Sequence, residues 1–160
     1  MVSKRREVRI KVMQVLYASE ISQEPLDKVK KDHLSEITDE DSINFSNNLI
    51  ERVSENTAML DEFIVKKVEN WEFERIAIVD KIIIRMGIAE LLYFPDIPPK
   101  VSINEAIDIA KDFCTKNSGK FVNGVLDAVL DELKKDNKLD KSGRGLLDLK
   151  KKKEKEQGSE

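Results

Sequence analysis

The chain has 160 residues, of which 40% are hydrophobic and 37% charged, and its 28 basic and 31 acidic side chains leave a net charge of −3. This length suits one domain, and six glycines with four prolines supply too few turn signals for an all-β sandwich. One cysteine and one histidine exclude an internal disulfide and a Cys/His zinc site. No apolar run reaches the roughly 18 residues of a membrane span, and no export signal follows the basic N-terminus, so we expect a cytoplasmic protein.

The first predicted helix runs from about Ser3 to Ser19 and begins with a basic stretch. Its apolar residues recur at helical spacing and occupy roughly half of its circumference, which predicts packing on two sides. Arg5 and Arg9 lie inside this apolar sector rather than opposite it. Guanidinium groups in such positions are expected to meet either a buried carboxylate or a ligand anion, and the spacing leaves both open.

Three shorter helices are predicted next. Glu24-Pro25 starts the second, because proline is favoured at the first helical position, and its apolar stripe places His33 at the core as a packing residue. Capping residues at 39–42 open the third helix. Its pattern continues too far for one globular helix, so we expect a break near Asn56 and a fourth helix that ends before Trp71.

The segment from Glu74 to Phe94 is apolar in every direction around a helical axis, which predicts a central, buried helix. Glu90 falls within this apolar surface. A buried carboxylate needs a donor, so a structural salt bridge is expected there rather than catalysis.

Prolines at 95, 98 and 99 predict an extended connection, and a capping box at Ser102-x-x-Glu105 is expected to open the next helix. A last helix follows residue 118, with Ser118 as its cap. Lys116 and Lys120 flank its N-terminus, where unpaired backbone N–H groups favour an anion.

Motifs for nucleotide binding, serine hydrolysis, zinc proteolysis and redox chemistry are all absent from the sequence. His33 and Cys114 both fall on predicted core stripes, which disfavours a nucleophilic pair. The sequence therefore predicts a protein that is not an enzyme and needs no cofactor or metal.

Three sequence blocks resemble, in the right order, the signatures of the NusB transcription antitermination family. They are Arg5-Arg6-Glu7-Val8-Arg9 leading to Gln14-Val15-Leu16-Tyr17, then Ile83 to Leu91 with Asp96 to Ala106, and finally Ser118 to Asp127. The resemblance implies an all-α fold of about seven helices without a sheet. Residues 1–136 would form one NusB-like domain of two small bundles sharing a core (about 3–56 and 57–136), followed by a mobile charged tail at 137–160.

The resemblance also implies a function. Members of the family bind boxA-type single-stranded RNA together with NusE, a ribosomal small-subunit protein, and help RNA polymerase transcribe ribosomal RNA operons. The family's RNA-contacting positions correspond here to Arg5, Arg6, Arg9, Lys116, Ser118, Lys120 and Phe121. Its NusE-facing positions correspond to Glu74 and Asp80.

Two details of this correspondence stay open. The family usually has Glu where this chain has Ile10, which bears on the orientation of Arg9. Phe121 or Tyr17 would stack on bases in one interpretation and pack in the core in the other.

Two alternatives use the same fold. One is a protein-docking module without RNA binding of its own, as in NusB-like domains attached to RNA cytosine methyltransferases; a catalytic domain would then have to come from a separate partner. The other is a homodimer formed through the apolar sides of the first helix, which would cover the arginines.

Overall fold

The computed structural model describes residues 3–147 and 149, with only the backbone of residues 70 and 71, and this part of the chain is helical without a strand. Within it, no helix combines the length and the hydropathy needed to cross a membrane. The eight α-helices are α1 (Lys4–Ser22), α2 (Leu26–Leu34), α3 (Glu40–Glu55), α4 (Thr57–Lys67), α5 (Asn70–Arg75), α6 (Ile78–Tyr93), α7 (Pro99–Phe113) and α8 (Ser118–Lys135). A 3₁₀ turn follows at Gly143–Leu146.

The predicted break near Asn56 is confirmed, because α3 ends at Glu55 and α4 begins at Thr57. The predicted central helix, however, begins later than Glu74. Ile76 and Ala77 adopt extended backbone conformations, so Glu74 belongs to the short helix α5. This extra helix, which begins with a capping box from Glu69, accounts for eight helices instead of about seven.

Helix α6 forms the centre of the fold and packs against α1, α3, α4, α7 and α8. Its isoleucines at 82, 83, 84 and 88 are 0–2% exposed, and burial of each side chain contributes roughly 1.5–3 kcal/mol. Gly87 lets α8 approach closely, since a Cβ atom there would lie 2.9 Å from Leu126 Cδ1. α1 packs on α2 and α3, and α7 on α8; the division into sub-bundles at 3–56 and 57–136 remains a prediction.

Two expectations about side chains are wrong. His33 is exposed on α2 and does not border the core. Ser102 and Glu105 do not cap α7, because this helix already begins at Pro99, whose missing N–H and restricted φ suit the first helical position. Both side chains instead contact charged groups of neighbouring helices.

The chain after α8 does not leave the folded domain at residue 137, where the mobile tail was predicted to begin. Lys141 is 8% exposed and Gly145 is buried. Anchoring to α6, described below, compensates for the few apolar residues in this segment. Residues 148 and 150–160 of the predicted tail lie outside the described residues.

Candidate nucleic-acid interface

Arg9 and Glu90 form a buried ion pair between α1 and α6. Arg9 Nε donates to Glu90 Oε2 at 3.0 Å, and Arg9 Nη2 donates to Glu90 Oε1 at 2.7 Å. Ser102 Oγ donates to the same Oε1 at 3.1 Å, and Arg9 and Glu90 are only 3% and 2% exposed. Of the two partners expected for Arg9, the structure shows the buried carboxylate, so this guanidinium does not face a ligand.

Arg6 joins α1 to α7. Its Nε donates to Glu105 Oε2 at 2.7 Å, and its Nη2 donates to Glu105 Oε1 at 3.1 Å and Asp108 Oδ2 at 2.8 Å. These hydrogen bonds, above all those to Glu105, raise the pKa of Arg6. The side chain remains 25% exposed, so one edge of the guanidinium stays near solvent.

Arg5 is the most accessible of the three predicted arginines. Its Cζ lies 4.0 Å from the centroid of the Phe45 ring, a cation–π contact that holds the guanidinium at the surface. Its Nη2 donates to Asp41 Oδ2 at 2.7 Å, but the Asp41 side chain is 82% exposed. An ion pair this exposed contributes little free energy, so the Arg5 guanidinium remains available to another anion.

Arg5 borders an open groove of about 430 Å³ between the start of α1 and the connection from α6 to α7. We call it the Arg5 groove. Val101 and Leu147 on its wall are 41% and 54% exposed. The residues that define it here are Arg5, Phe45, Asp96, Val101, Arg144 and Leu147.

A second basic patch surrounds the start of α8. Lys116 and Lys120 are both exposed, and neither forms an ion pair with any residue in the described ranges. Phe121 is half-buried and packs against the core. We call Lys116 and Lys120 the α8 patch.

Helix α7 connects these two basic regions. Arg6 contacts Asp108 on α7, and Lys111, three residues later on the same helix face, crosses the start of α8 at Gly119. A Cβ atom on Gly119 would lie 3.0 Å from Lys111 Cγ, so the glycine permits this crossing. The 3-residue spacing of Glu105, Asp108 and Lys111 is the sequence signal that would have identified this face.

Ser118 and Asp80 are buried together beneath the α8 patch. Ser118 Oγ donates to Asp80 Oδ2 at 3.1 Å, and the two residues are 2% and 9% exposed. The prediction that these side chains contact RNA and NusE directly therefore does not agree with their positions. Burial, followed by the proximity of Asp80, raises the pKa of the neighbouring Cys114 thiol to about 12.

The other predicted NusE-facing residue, Glu74, is exposed, but it lies on α5 and not on the central helix. The two acidic positions therefore do not form one surface of α6. Among residues 3–147 and 149, no group of three or more His, Cys, Asp or Glu side chains has an arrangement that suits a metal ion.

Comparisons with known proteins agree with this architecture. Residues 6–131 match the sequence pattern described as the NusB family. The chain is 49% identical over 156 residues to "Transcription antitermination protein NusB" of Chloroherpeton thalassium. The aligned region covers 96% of this chain and 74% of that protein.

Two solved structures have the same fold. NusB of T. maritima superposes with a TM-score of 0.76 at 38% identity, over 82% of this chain and 94% of that one. A chain of the crystal structure of antitermination factors NusB and NusE in complex with dsRNA superposes with a TM-score of 0.73 at 25% identity, over 82% of this chain and 99% of that one. With the sequence match over most of its length, the chain belongs to the NusB family.

Proposed function

We propose that the protein is a non-enzymatic transcription antitermination factor that binds boxA-type single-stranded RNA together with NusE. It would act in the cytoplasm within the antitermination complex of RNA polymerase and support transcription of ribosomal RNA operons. Membership of the NusB family supports this proposal, as does a structural neighbour that holds NusE and RNA.

The observation that carries the RNA assignment is the pair of accessible basic regions at the two ends of one helix face. The Arg5 side chain is 39% exposed near one end of α7, and the unpaired Lys116 and Lys120 lie near the other. Cations in such positions neutralise phosphates. The guanidinium plane of an arginine also offers a surface on which an unstacked base can pack.

The remaining predicted residues divide into contact and positioning roles in this proposal. Arg6 contacts RNA through its exposed edge, and Phe121 through the exposed part of its ring. Arg9 positions the start of α1 through Glu90, and Ser118 positions the start of α8 through Asp80. These two act through other residues because both are buried.

NusE is proposed to contact the acidic surface at Glu74. A basic ribosomal protein finds charge complementarity there. Asp80 supports this partner only indirectly, by holding the start of α6 against the start of α8.

The proposal is tested by titrating a boxA-like RNA oligonucleotide, with and without NusE, at 50 and 200 mM salt. The variants are Arg5→Ala and the double variant Lys116→Ala/Lys120→Ala, and Lys28→Ala on α2, outside both basic regions, is the matched control. We expect weaker binding and a shallower salt dependence for the first two variants, by about one unit of slope per lost phosphate contact. Unchanged affinity in both would reject the interface.

One observation favours the protein-docking alternative. Arg6 and Arg9, the two more buried of the three predicted arginines, are neutralised by internal carboxylates. If the protein retains NusE but binds no RNA at either salt concentration, with or without NusE, the docking function replaces the proposed one.

A further inference from the structure

The chain beyond α8 folds back across the end of α6. Lys138 N donates to Leu133 O at 2.9 Å and turns the backbone. Lys141 Nζ then donates to Glu90 O at 3.1 Å and to Phe94 O at 2.8 Å. Both carbonyls also accept a backbone N–H, Glu90 O from Phe94 N and Phe94 O from Ile97 N, so the ammonium adds a charged donor at the negative end of the α6 dipole. We call residues 138–147 the strap.

Backbone contacts hold the strap in one position. Ser142 N donates to Pro95 O at 3.0 Å. Gly145 packs so closely against the same residue that a Cβ atom would clash with the Pro95 carbonyl oxygen. Position 145 therefore requires glycine for this approach, which fixes the backbone on either side of it.

Two side chains of the strap line the Arg5 groove. Arg144 and Leu147 line it together with Arg5. Arg144 is exposed and, among residues 3–147 and 149, makes no ion pair or side-chain hydrogen bond. Two carboxylates also line the groove, those of Asp96 and Glu105. Glu105 pairs with Arg6, and Asp96 opposes one positive charge of the groove.

We propose that Arg144 is an RNA-binding residue that contacts the phosphate backbone beside Arg5, in a groove that the strap completes. This inference rests on the proposed function. Arg144 lies outside the residues that match the family pattern, which end at 131. The exposed apolar surfaces of Val101 and Leu147 lie beside the two cations, an arrangement that suits single-stranded nucleic acid, with its charged backbone and flat bases.

Charge also favours a polyanion such as RNA as the occupant. Arg144 is not neutralised within the described chain, while the pair between Arg5 and Asp41 is exposed and exchangeable. A polyanion that follows the groove can engage both guanidinium groups at successive phosphates. Lys141 has a positioning role, because its ammonium faces main-chain carbonyls and not the groove.

The experiment uses the full chain and a boxA-like RNA oligonucleotide, titrated at 50 and 200 mM salt with and without NusE. The variants are Arg144→Ala and Arg144→Lys, and the matched control is Lys138→Ala, an exposed lysine at the start of the strap that does not line the groove. For Arg144→Ala we expect weaker binding at 50 mM salt. The fold by which affinity falls from 50 to 200 mM salt should also be about threefold smaller than for the unaltered protein, because one phosphate contact is lost. Arg144→Lys is expected to recover the salt dependence, and Lys138→Ala to leave both measurements unchanged.

Lys141→Met tests the positioning role. It should reproduce the RNA defect of Arg144→Ala, and combining the two changes should add nothing further, because both remove the same contact. If Lys141 had only a structural role, Lys141→Met would lower thermal stability, and the RNA defects of the two single variants would add in the double variant.

The outcomes separate this inference from the function on which it rests. If Arg5→Ala weakens RNA binding and Arg144→Ala does not, the role of Arg144 is rejected and the proposed function stands. If Arg144→Ala weakens NusE binding and leaves RNA affinity unchanged, the groove binds protein and the inference is overturned. If the unaltered protein binds no RNA under any condition, both fail.

Discussion

Arg9 of α1 and Glu90 of α6 are joined through two parallel N–H to carboxylate hydrogen bonds in the core, with Ser102 of α7 donating to the same carboxylate. Three helices therefore meet at one buried charge. This arrangement sets the orientation of α1 and directs Arg5 and Arg6, on its preceding turn, towards Phe45 and Glu105. The most deeply buried arginine thus determines where the accessible ones lie.

Replacing Arg9 by Met should lower the free energy of unfolding by about 3–5 kcal/mol, because Glu90 would remain buried without its cation. Urea denaturation followed by circular dichroism at pH 7 measures the change. Arg5→Ala is the control, since its exposed pair with Asp41 contributes only about 0–1 kcal/mol. A loss below about 1 kcal/mol for Arg9→Met would show that the pair is not needed for stability.

Two glycines in helices should respond in opposite ways to alanine. At Gly87 a Cβ atom would lie 2.9 Å from two methyl groups of the buried Leu126, and overpacking of this kind costs about 1–3 kcal/mol. At Gly124 nothing lies within 4 Å, so alanine should stabilise α8 by roughly 0.5–1 kcal/mol. Thermal denaturation of both variants checks the prediction, which fails if they shift Tm in the same direction.

The stability contributed at Lys141 should depend on pH. Burial lowers the pKa of its ammonium from 10.5 to about 8, although the carboxylates of Glu90, Asp96 and Asp140 act in the opposite direction. Between about pH 8 and 10.5 the unfolded chain retains a proton that the native state has released, so the free energy of unfolding rises with pH in this window. Below pH 8 both states carry the proton and the effect of burial is constant.

The measurement compares the unaltered protein with Lys141→Met by urea denaturation at pH 7, 8, 9 and 10. The free energy of unfolding of the unaltered protein minus that of Lys141→Met should increase as the pH rises through this range. Other lysines and tyrosines titrate in both proteins, so their contributions cancel in this difference. A difference that does not change with pH would contradict the lowered pKa.

Cys114 should react slowly in the native protein. Its pKa is raised from 9.0 to about 12 by burial and by Asp80, and only the thiolate attacks a disulfide reagent. At pH 8 we expect the native thiol to react with a chromogenic disulfide on the order of 1,000-fold more slowly than the urea-unfolded chain, which follows from the difference in thiolate fraction. Because Cys114 is the sole cysteine, the signal has one source. Native and unfolded rates within tenfold of each other would be incompatible with this environment.

Much of the fold was predictable because the signals were local. The apolar segment around α6 follows from helical periodicity, which depends only on neighbouring residues. The break at Asn56 follows from the length of the periodic pattern, which exceeds that of a usual globular helix. Periodicity also placed Arg9 and Glu90 on apolar faces. This indicated an internal donor for Glu90, and either a buried carboxylate or a ligand anion for Arg9. It did not pair them with each other, since they are 81 residues apart.

The boundaries that failed have causes that periodicity does not register. Ile76 and Ala77 are apolar and continue the pattern of α6, yet their extended backbone separates α5 from it. The strap was expected to be mobile because its composition is polar. Its order comes from Lys141, which donates to main-chain carbonyls at the end of α6, and from Gly145, which packs closely against Pro95.

Sequence alone was sufficient for the helical class, the family and the arginine-rich N-terminal stretch, because composition, spacing and motif order are properties of the chain itself. Which of those arginines stays accessible was decided only by tertiary packing: Arg9 is neutralised in the core, and Arg5 remains at the surface beside Arg144. The physical reason is that burial and ion pairing depend on which distant carboxylates and carbonyls the folded helices bring within hydrogen-bonding distance.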